Sequence, residues 1–137
     1  QKLCSIHNTL FIVNDDINLA EKVVADGVHL GIKDASITTA RKVLGKRAVI
    51  GVSCYNDTKL AIKSQDNGAS YVAFGSLFDS TTKPNAQRCP LEIISKAKEA
   101  LRIPIVGIGG INFNNMQIAY GAGCDSVAMV NALFKRG

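Results

Sequence analysis

Residues 10–30 read LFIVNDDINLAEKVVADGVHL, and this stretch decides the fold class. An apolar run, LFIV, is followed by a polar stretch with Ala20, Val23 and Val24 at helical spacing, and then by a second apolar run, VHL. Asp15 follows the first run directly and can cap a helix start. The stretch therefore predicts a strand, a helix and a second strand.

The same alternation continues to the end of the chain. Four more apolar runs follow, namely VIGVS at 49–53, YVAF at 71–74, IVGI at 105–108 and VAMV at 127–130. Runs of this kind between helical stretches predict parallel strands buried on both faces, hence an α/β fold. Two closures remain open: a doubly wound sheet, or part of an eight-stranded barrel. A whole barrel takes about 250 residues, so six units are too few for one.

Composition narrows the class of protein. The 137 residues are 47% hydrophobic and 20% charged, as in a single globular domain spanning residues 1–137. The net charge is +5, but the basic residues are scattered, which favours small anionic ligands over nucleic acid. There is no apolar run near the ~18 residues of a membrane span and no signal-peptide pattern. The four cysteines form no C-x-x-C pair, so free thiols in the cytoplasm are expected.

Two segments have the composition of a phosphate site. IVGIGGIN at 105–112 places paired glycines between a strand and a helix, where backbone N–H groups can approach an oxyanion. Asn131 follows the next strand, and the loops after the last two strands of a barrel commonly bind phosphate. STTKP at 80–84 offers hydroxyls and a lysine, although a solvated loop has the same composition. We expect phosphate binding at the glycine pair and regard the second segment as a further candidate.

Asp15 and Asp34 each follow a predicted strand, so both carboxylates are expected at one edge of the sheet. Such a pair suits Mg²⁺, which takes few protein ligands and completes its shell with water and substrate phosphate. Helix capping explains the first aspartate equally well. His29 lies inside a strand and is expected to be packed, and Ser53 at a strand end is expected to hydrogen-bond rather than to act as a nucleophile.

Several stretches together resemble the thiamine-phosphate synthase family. They are LFIVNDD at 10–16, ADGVHLGIKD at 25–34, IGVS at 50–53, GASYVAFGSLFDSTTKP at 68–84, PIVGIGGI at 104–111 and GAGCDSVAMV at 121–130. The resemblance covers nearly the whole chain in order. It implies a (β/α)₈ TIM barrel and a Mg²⁺-dependent transferase of thiamine biosynthesis. That enzyme joins hydroxymethylpyrimidine diphosphate to thiazole phosphate and releases pyrophosphate.

The resemblance also implies roles for individual residues. Asp15 and Asp34 match the metal-binding aspartates. The residues that match the pyrimidine-diphosphate site are Asn14, Ser53 and Lys83, of which Ser53 and Lys83 are the expected catalytic residues. The residues that match the thiazole-phosphate site are Ser80, Thr81, Thr82, Gly110, Val130 and Asn131. Asn131 stands where the family usually has a serine, and Ser76 and Asp79 stand where prolines are common.

One family motif matches nothing in the chain. The family's second strand carries a Gln-x-Arg-x-Lys motif for the diphosphate, so we expect strands three to eight here and little activity from the chain alone. The open strand edges then allow a homo-oligomer. Two alternatives remain: a noncatalytic phosphate-binding remnant, and a thiazole tautomerase. The tautomerase is disfavoured, because Ser76 stands where that subgroup is expected to carry a histidine.

Overall fold

The computed structural model describes residues 1–79 and 85–134. Helices and strands alternate along the described chain. The elements are α1 (Lys2–Ile6), β1 (Ile12–Asn14), α2 (Ile17–Lys22), β2 (Gly27–Leu30), α3 (Ile37–Leu44), β3 (Val49–Tyr55), α4 (Thr58–Asp66), β4 (Tyr71–Phe74), α5 (Leu91–Ala100), β5 (Ile105–Ile108), α6 (Met116–Ala122), β6 (Ser126–Ala128) and α7 (Asn131–Phe134). None of the described helices is long and apolar enough to cross a membrane.

The strands form one six-stranded sheet in the order β1-β2-β3-β4-β5-β6, and every neighbouring pair is parallel. Sequential parallel strands joined by helices are the repeating unit of the TIM barrel. The predicted α/β fold and the partial barrel are therefore confirmed. In the described ranges β1 pairs only with β2, and β6 only with β5, so these two strands are the edges of a half-barrel.

The sheet has two faces with different roles. The outer face packs against the helices, with Val28, Ile50 and Val72 fully buried there. The inner face carries the alternate residues of the same strands, many of which are small or polar. They include Asn14, His29, Gly51, Ser53, Tyr71 and Ala73. Because alternate residues of a strand point to opposite faces, the apolar runs supply the core and the residues between them supply the site.

At the amino ends of the strands, a side chain just before one strand accepts a hydrogen bond from the backbone of the neighbouring strand. Asp26 accepts the Phe11 N–H at 2.8 Å, and Asp125 accepts the Ile105 N–H at 2.8 Å. Ser70 does the same for Ile50 at 3.0 Å. The similar turns ADGV at 25–28 and CDSV at 124–127 are thus structural, because their aspartates join neighbouring strands at the amino ends.

One helix boundary differs from the prediction. Val24 was expected on a helix face, but α2 ends at Lys22 and Val23 is its C-cap. The chain then turns at Val24, which has φ +51° and is 73% exposed, before it enters β2. Helical spacing of apolar residues was a misleading signal here because the last apolar residue belongs to the turn.

Candidate functional site

A cleft of about 570 Å³ opens at the carboxyl ends of the strands. In parallel α/β folds this is the end at which ligands bind. Its lining in the described part of the chain comes from the ends of β1, β3, β4, β5 and β6 and the loops that follow. The lining residues are Asn14, Ser53, Tyr55, Ala73, Gly75, Ser76, Asp79, Ala86, Ile108, Gly109, Gly110, Ile111, Asn112, Ala128, Val130, Asn131 and Ala132.

Five residues predicted to bind substrate meet in this cleft. They are Asn14, Ser53, Gly110, Val130 and Asn131. They are separated by up to 117 positions along the chain, from Asn14 to Asn131. The strand order brings them together, since each lies at or just after the carboxyl end of its strand. The remaining predicted substrate residues, Ser80, Thr81, Thr82 and Lys83, lie outside the described residues.

The glycine pair after β5 has a backbone that only glycine adopts without strain. Gly109 has φ +95° and Gly110 has φ +63°. A Cβ at Gly110 would overlap the Asp79 carbonyl oxygen and would lie 2.8 Å from the Phe78 carbonyl carbon. The two loops therefore touch backbone to backbone, and Asn115 fixes the turn by donating from Nδ2 to the Gly110 carbonyl at 3.0 Å. The result is a rigid corner at the cleft wall.

The two predicted metal aspartates lie beside β2. Capping of α2 is performed by Asp16, whose side chain accepts the Leu19 N–H at 2.9 Å, so Asp15 is not the cap. Asp15 instead has φ +66°, and its N–H donates to the His29 carbonyl at 2.8 Å. The Asp34 carboxylate accepts the Gly31 N–H at 2.6 Å. Both residues therefore flank the carboxyl end of β2.

Both aspartates interact electrostatically with the imidazole of His29. Burial lowers the pKa of His29, and the negative charges of Asp15 and Asp34 oppose that shift without overcoming it. Burial therefore favours the neutral form of His29. Within the described ranges no group of three or more His, Cys, Asp or Glu side chains is placed to hold a metal ion. A pair of carboxylates without further protein ligands fits Mg²⁺ better than zinc or another transition metal.

A hydrogen-bonded line that the sequence did not predict lies on the inner face. His29 Nδ1 is 2.9 Å from Tyr71 Oη, and His29 Nε2 is 2.8 Å from Ser53 Oγ. The register pairs His29 with Gly51 and Gly51 with Tyr71. The glycine inside the VIGVS run was the available signal, because a glycine within a strand often marks the close approach of another group.

Asp79 and Arg88 flank the segment that the structure does not describe. Their side chains form an ion pair at 2.8 Å, and Asp79 also lines the cleft. Both side chains are exposed, so water and salt screen the pair and it contributes little to stability. It does place a cation next to the one carboxylate of the described cleft lining.

Sequence similarity places the chain in a known protein family. The family model described as thiamine monophosphate synthase matches residues 1–133. The chain belongs to this family. A thiamine-phosphate synthase of Chromobacterium violaceum is 51% identical over 134 residues, which are 98% of this chain and 64% of that protein. One from Thioalkalivibrio sulfidiphilus is 48% identical over 134 residues, again 98% of this chain and 64% of the relative. The chain thus spans just under two thirds of the length of these relatives.

Solved structures agree with the family. Thiamine phosphate pyrophosphorylase from Pyrococcus furiosus superposes with a TM-score of 0.85 at 34% identity, covering 96% of this chain and 62% of that one. A 3-hexulose-6-phosphate synthase superposes with a TM-score of 0.69 at 18% identity, which supports the fold alone. The resemblance of the sequence to the thiamine-phosphate synthase family is confirmed.

Proposed function

We propose that the chain carries most of the active site of a thiamine-phosphate synthase. The reaction joins hydroxymethylpyrimidine diphosphate to thiazole phosphate and releases pyrophosphate. The observation that carries the proposal is the convergence of Asn14, Ser53, Gly110, Val130 and Asn131 on one cleft. The family resemblance assigns each of these residues to one of the two substrates, independently of their positions in the structure.

The two substrates occupy different sides of the cleft in this proposal. The thiazole phosphate lies against Gly110, Val130 and Asn131, where backbone N–H groups of a fixed turn donate to its oxygens. The pyrimidine diphosphate lies on the side of Asn14 and Ser53. Ser80, Thr81 and Thr82 are proposed for the thiazole phosphate and Lys83 for the diphosphate, on the resemblance alone. This arrangement brings the two reacting groups together across the sheet, so that binding itself lowers the barrier.

Mg²⁺ is proposed to bind at Asp15 and Asp34. The donor set supports this choice, because two carboxylates leave most of the coordination shell for water and diphosphate oxygens. When bound, the ion would neutralise the charge that develops on the departing pyrophosphate. The protein's own contribution is to hold the carboxylates in place, Asp34 through the Gly31 N–H and Asp15 through the His29 carbonyl.

The binding test uses the 137-residue chain and calorimetry. We expect it to bind thiazole phosphate, and to bind the pyrimidine diphosphate only when Mg²⁺ is present. A matched control is Asn67→Ala at the C-cap of α4, which precedes the amino end of β4, and this variant should leave both affinities unchanged. If the folded chain binds neither phosphorylated compound, the proposed function is wrong.

The catalytic test compares the chain with a chimera. In the chimera this chain replaces the matching 134 residues of the Chromobacterium violaceum synthase. We expect the chimera to synthesise thiamine phosphate, and the chain alone to be slower by at least about 10²-fold, the cost of one missing preorganised charge contact. A folded but inactive chimera would contradict the proposed function. A chain as fast as the chimera would contradict the predicted need for the Gln-x-Arg-x-Lys motif.

A further inference from the structure

Three residues of the inner face form a row across β2, β3 and β4. The register places His29 opposite Gly51 and Gly51 opposite Tyr71. A Cβ at Gly51 would overlap the phenol ring of Tyr71. The glycine therefore provides the space through which the Tyr71 side chain crosses β3 and reaches His29.

Both ring nitrogens of His29 are hydrogen-bonded. Nδ1 lies 2.9 Å from Tyr71 Oη, and Nε2 lies 2.8 Å from Ser53 Oγ. Ser53 lines the cleft, whereas His29 and Tyr71 lie behind it on the inner face. A continuous hydrogen-bonded line thus runs from Tyr71 through the imidazole to the cleft wall.

We propose that Tyr71 is a positioning residue that, through His29, makes the Ser53 hydroxyl a hydrogen-bond donor into the cleft. The identity of the ligand that receives this bond rests on the proposed function. The direction of the line itself does not depend on that function.

The direction follows from counting protons. A neutral imidazole donates from one nitrogen and accepts at the other, so the line has two possible directions. In the first, Tyr71 O–H donates to Nδ1, Nε2–H donates to Ser53 Oγ, and the Ser53 proton faces the open cleft. In the second, Ser53 O–H donates to Nε2 and Nδ1–H donates to Tyr71 Oη.

The second direction leaves the phenol proton of Tyr71 without an acceptor. In the described part of the chain His29 Nδ1 is the hydrogen-bond partner of Tyr71 Oη. The Tyr71 phenol is more than half buried, and burial raises its pKa, so it keeps its proton at pH 8. Tyr71 is not among the lining residues of the cleft, so a phenol proton without an acceptor is disfavoured there, whereas Ser53 lines the cleft and its proton can reach water or a ligand. The first direction is therefore the stable one.

This direction decides the chemistry available to Ser53. Because Nε2 carries the proton, the imidazole cannot accept one from Ser53, and the Ser–His contact is not that of an activated nucleophile. The hydroxyl instead donates to an acceptor atom of the ligand. In a synthase that ligand is the pyrimidine diphosphate, whose ring nitrogens and phosphate oxygens are acceptors.

The direct test is the tautomer of His29 measured by long-range ¹H–¹⁵N NMR at pH 8. The chain has two histidines, and a His7→Gln variant assigns the spectrum. We expect a protonated Nε2 and an unprotonated Nδ1. A protonated Nδ1 in the wild-type chain would overturn the proposal. This measurement requires no substrate, so its outcome is separate from that of the proposed function.

The matched variants are Tyr71→Phe and, as the control, Tyr120→Phe on α6. Tyr71→Phe should shift the Nδ1 resonance of His29 and produce a population protonated at Nδ1, and Tyr120→Phe should leave the spectrum as in wild type. An unchanged His29 spectrum in Tyr71→Phe would show that the phenol does not set the tautomer, and the proposal would be wrong.

The functional test is a double-variant cycle in the active chimera. Ser53→Ala should raise the KM for the pyrimidine diphosphate about 10-fold, as expected for one lost hydrogen bond. Tyr71→Phe should raise the same KM several-fold, leave the KM for thiazole phosphate unchanged, and add nothing in the Ser53→Ala background. Equal effects of Tyr71→Phe on both substrates, or full additivity with Ser53→Ala, would overturn the positioning role.

Discussion

Replacing Gly110 by alanine should affect both the stability of the fold and the proposed phosphate binding at this turn. The two effects can be measured separately. Two costs follow from the structure. First, φ at Gly110 is +63°, a backbone conformation that costs about 1 kcal/mol for a residue with a Cβ. Second, the new Cβ would lie 2.8 Å from the Phe78 carbonyl carbon and 2.9 Å from that of Asp79. These distances are too short, so the two loops must move apart by roughly 0.5–1 Å, at about 1–3 kcal/mol.

Gly45 offers a matched control for the first cost alone. It also has a positive φ, +88°, but a Cβ there would meet nothing within 4 Å. Gly45→Ala should therefore lower the free energy of unfolding by about 1 kcal/mol, and Gly110→Ala by about 2–4 kcal/mol. At about 3–5 °C per kcal/mol for a chain of this size, the two variants differ clearly in Tm.

Calorimetry with thiazole phosphate then tests the function of the turn. A displacement near 1 Å at a binding site can cost up to about 10²-fold, so Gly110→Ala should bind at least about 10-fold more weakly. Gly45→Ala should bind like wild type, and Gly110→Asp should bind more weakly still because its carboxylate repels the phosphate. An unchanged affinity in folded Gly110→Ala would refute the assignment of the phosphate to this turn.

Three further predictions concern charge and thiols. Asp15→Asn, which tolerates the positive φ at that position, should abolish Mg²⁺-dependent binding of the pyrimidine diphosphate to the chain, and metal-independent binding of equal strength would contradict the metal site. The hydrogen bond from Lys98 lowers the pKa of Asp125 below its ordinary value. Its stabilising effect is therefore present above the pKa of the unfolded chain and is lost as the pH falls through the folded pKa. Urea titrations should show a constant difference between wild type and Asp125→Asn above about pH 5 and a smaller one below about pH 4. Burial raises the pKa of three thiols to about 11, those of Cys54, Cys89 and Cys124. At pH 8 only Cys4 should react rapidly with a disulfide reagent, and fast reaction of a second thiol would show that the core opens readily.

The strands were predictable because burial leaves a strong local pattern. VIGVS and YVAF contain the residues that pack under the helices, and both runs are strands in the structure. The cap of α2 was less predictable, because Asp15 and Asp16 are adjacent and an aspartate at either position could cap the helix. The hydrogen bond from the Leu19 N–H to the Asp16 side chain is what assigns the cap to Asp16.

The line from Tyr71 to Ser53 could not be read from the sequence. It depends on the register of three strands, which places His29, Gly51 and Tyr71 in one row. A shift of one residue in either pairing would turn one member to the outer face. His29 was expected to be packed, and only the register shows that its two nitrogens join a tyrosine to a serine of the cleft.

The charge of the cleft lining indicates that the proposed reaction would need charged groups from outside this lining. In the described part of the chain the lining contains no lysine or arginine, and its one carboxylate, Asp79, is paired with Arg88. Neutral N–H and hydroxyl donors can orient a phosphate, but they do not cancel the charge of a diphosphate as it departs. That charge must be met from outside the described lining. Asp15 and Asp34 lie beside β2, where a divalent ion can supply it, and Lys83 is the proposed second source. In the proposed function the cleft walls therefore orient the substrates, and charge neutralisation comes from groups at the margins of the cleft.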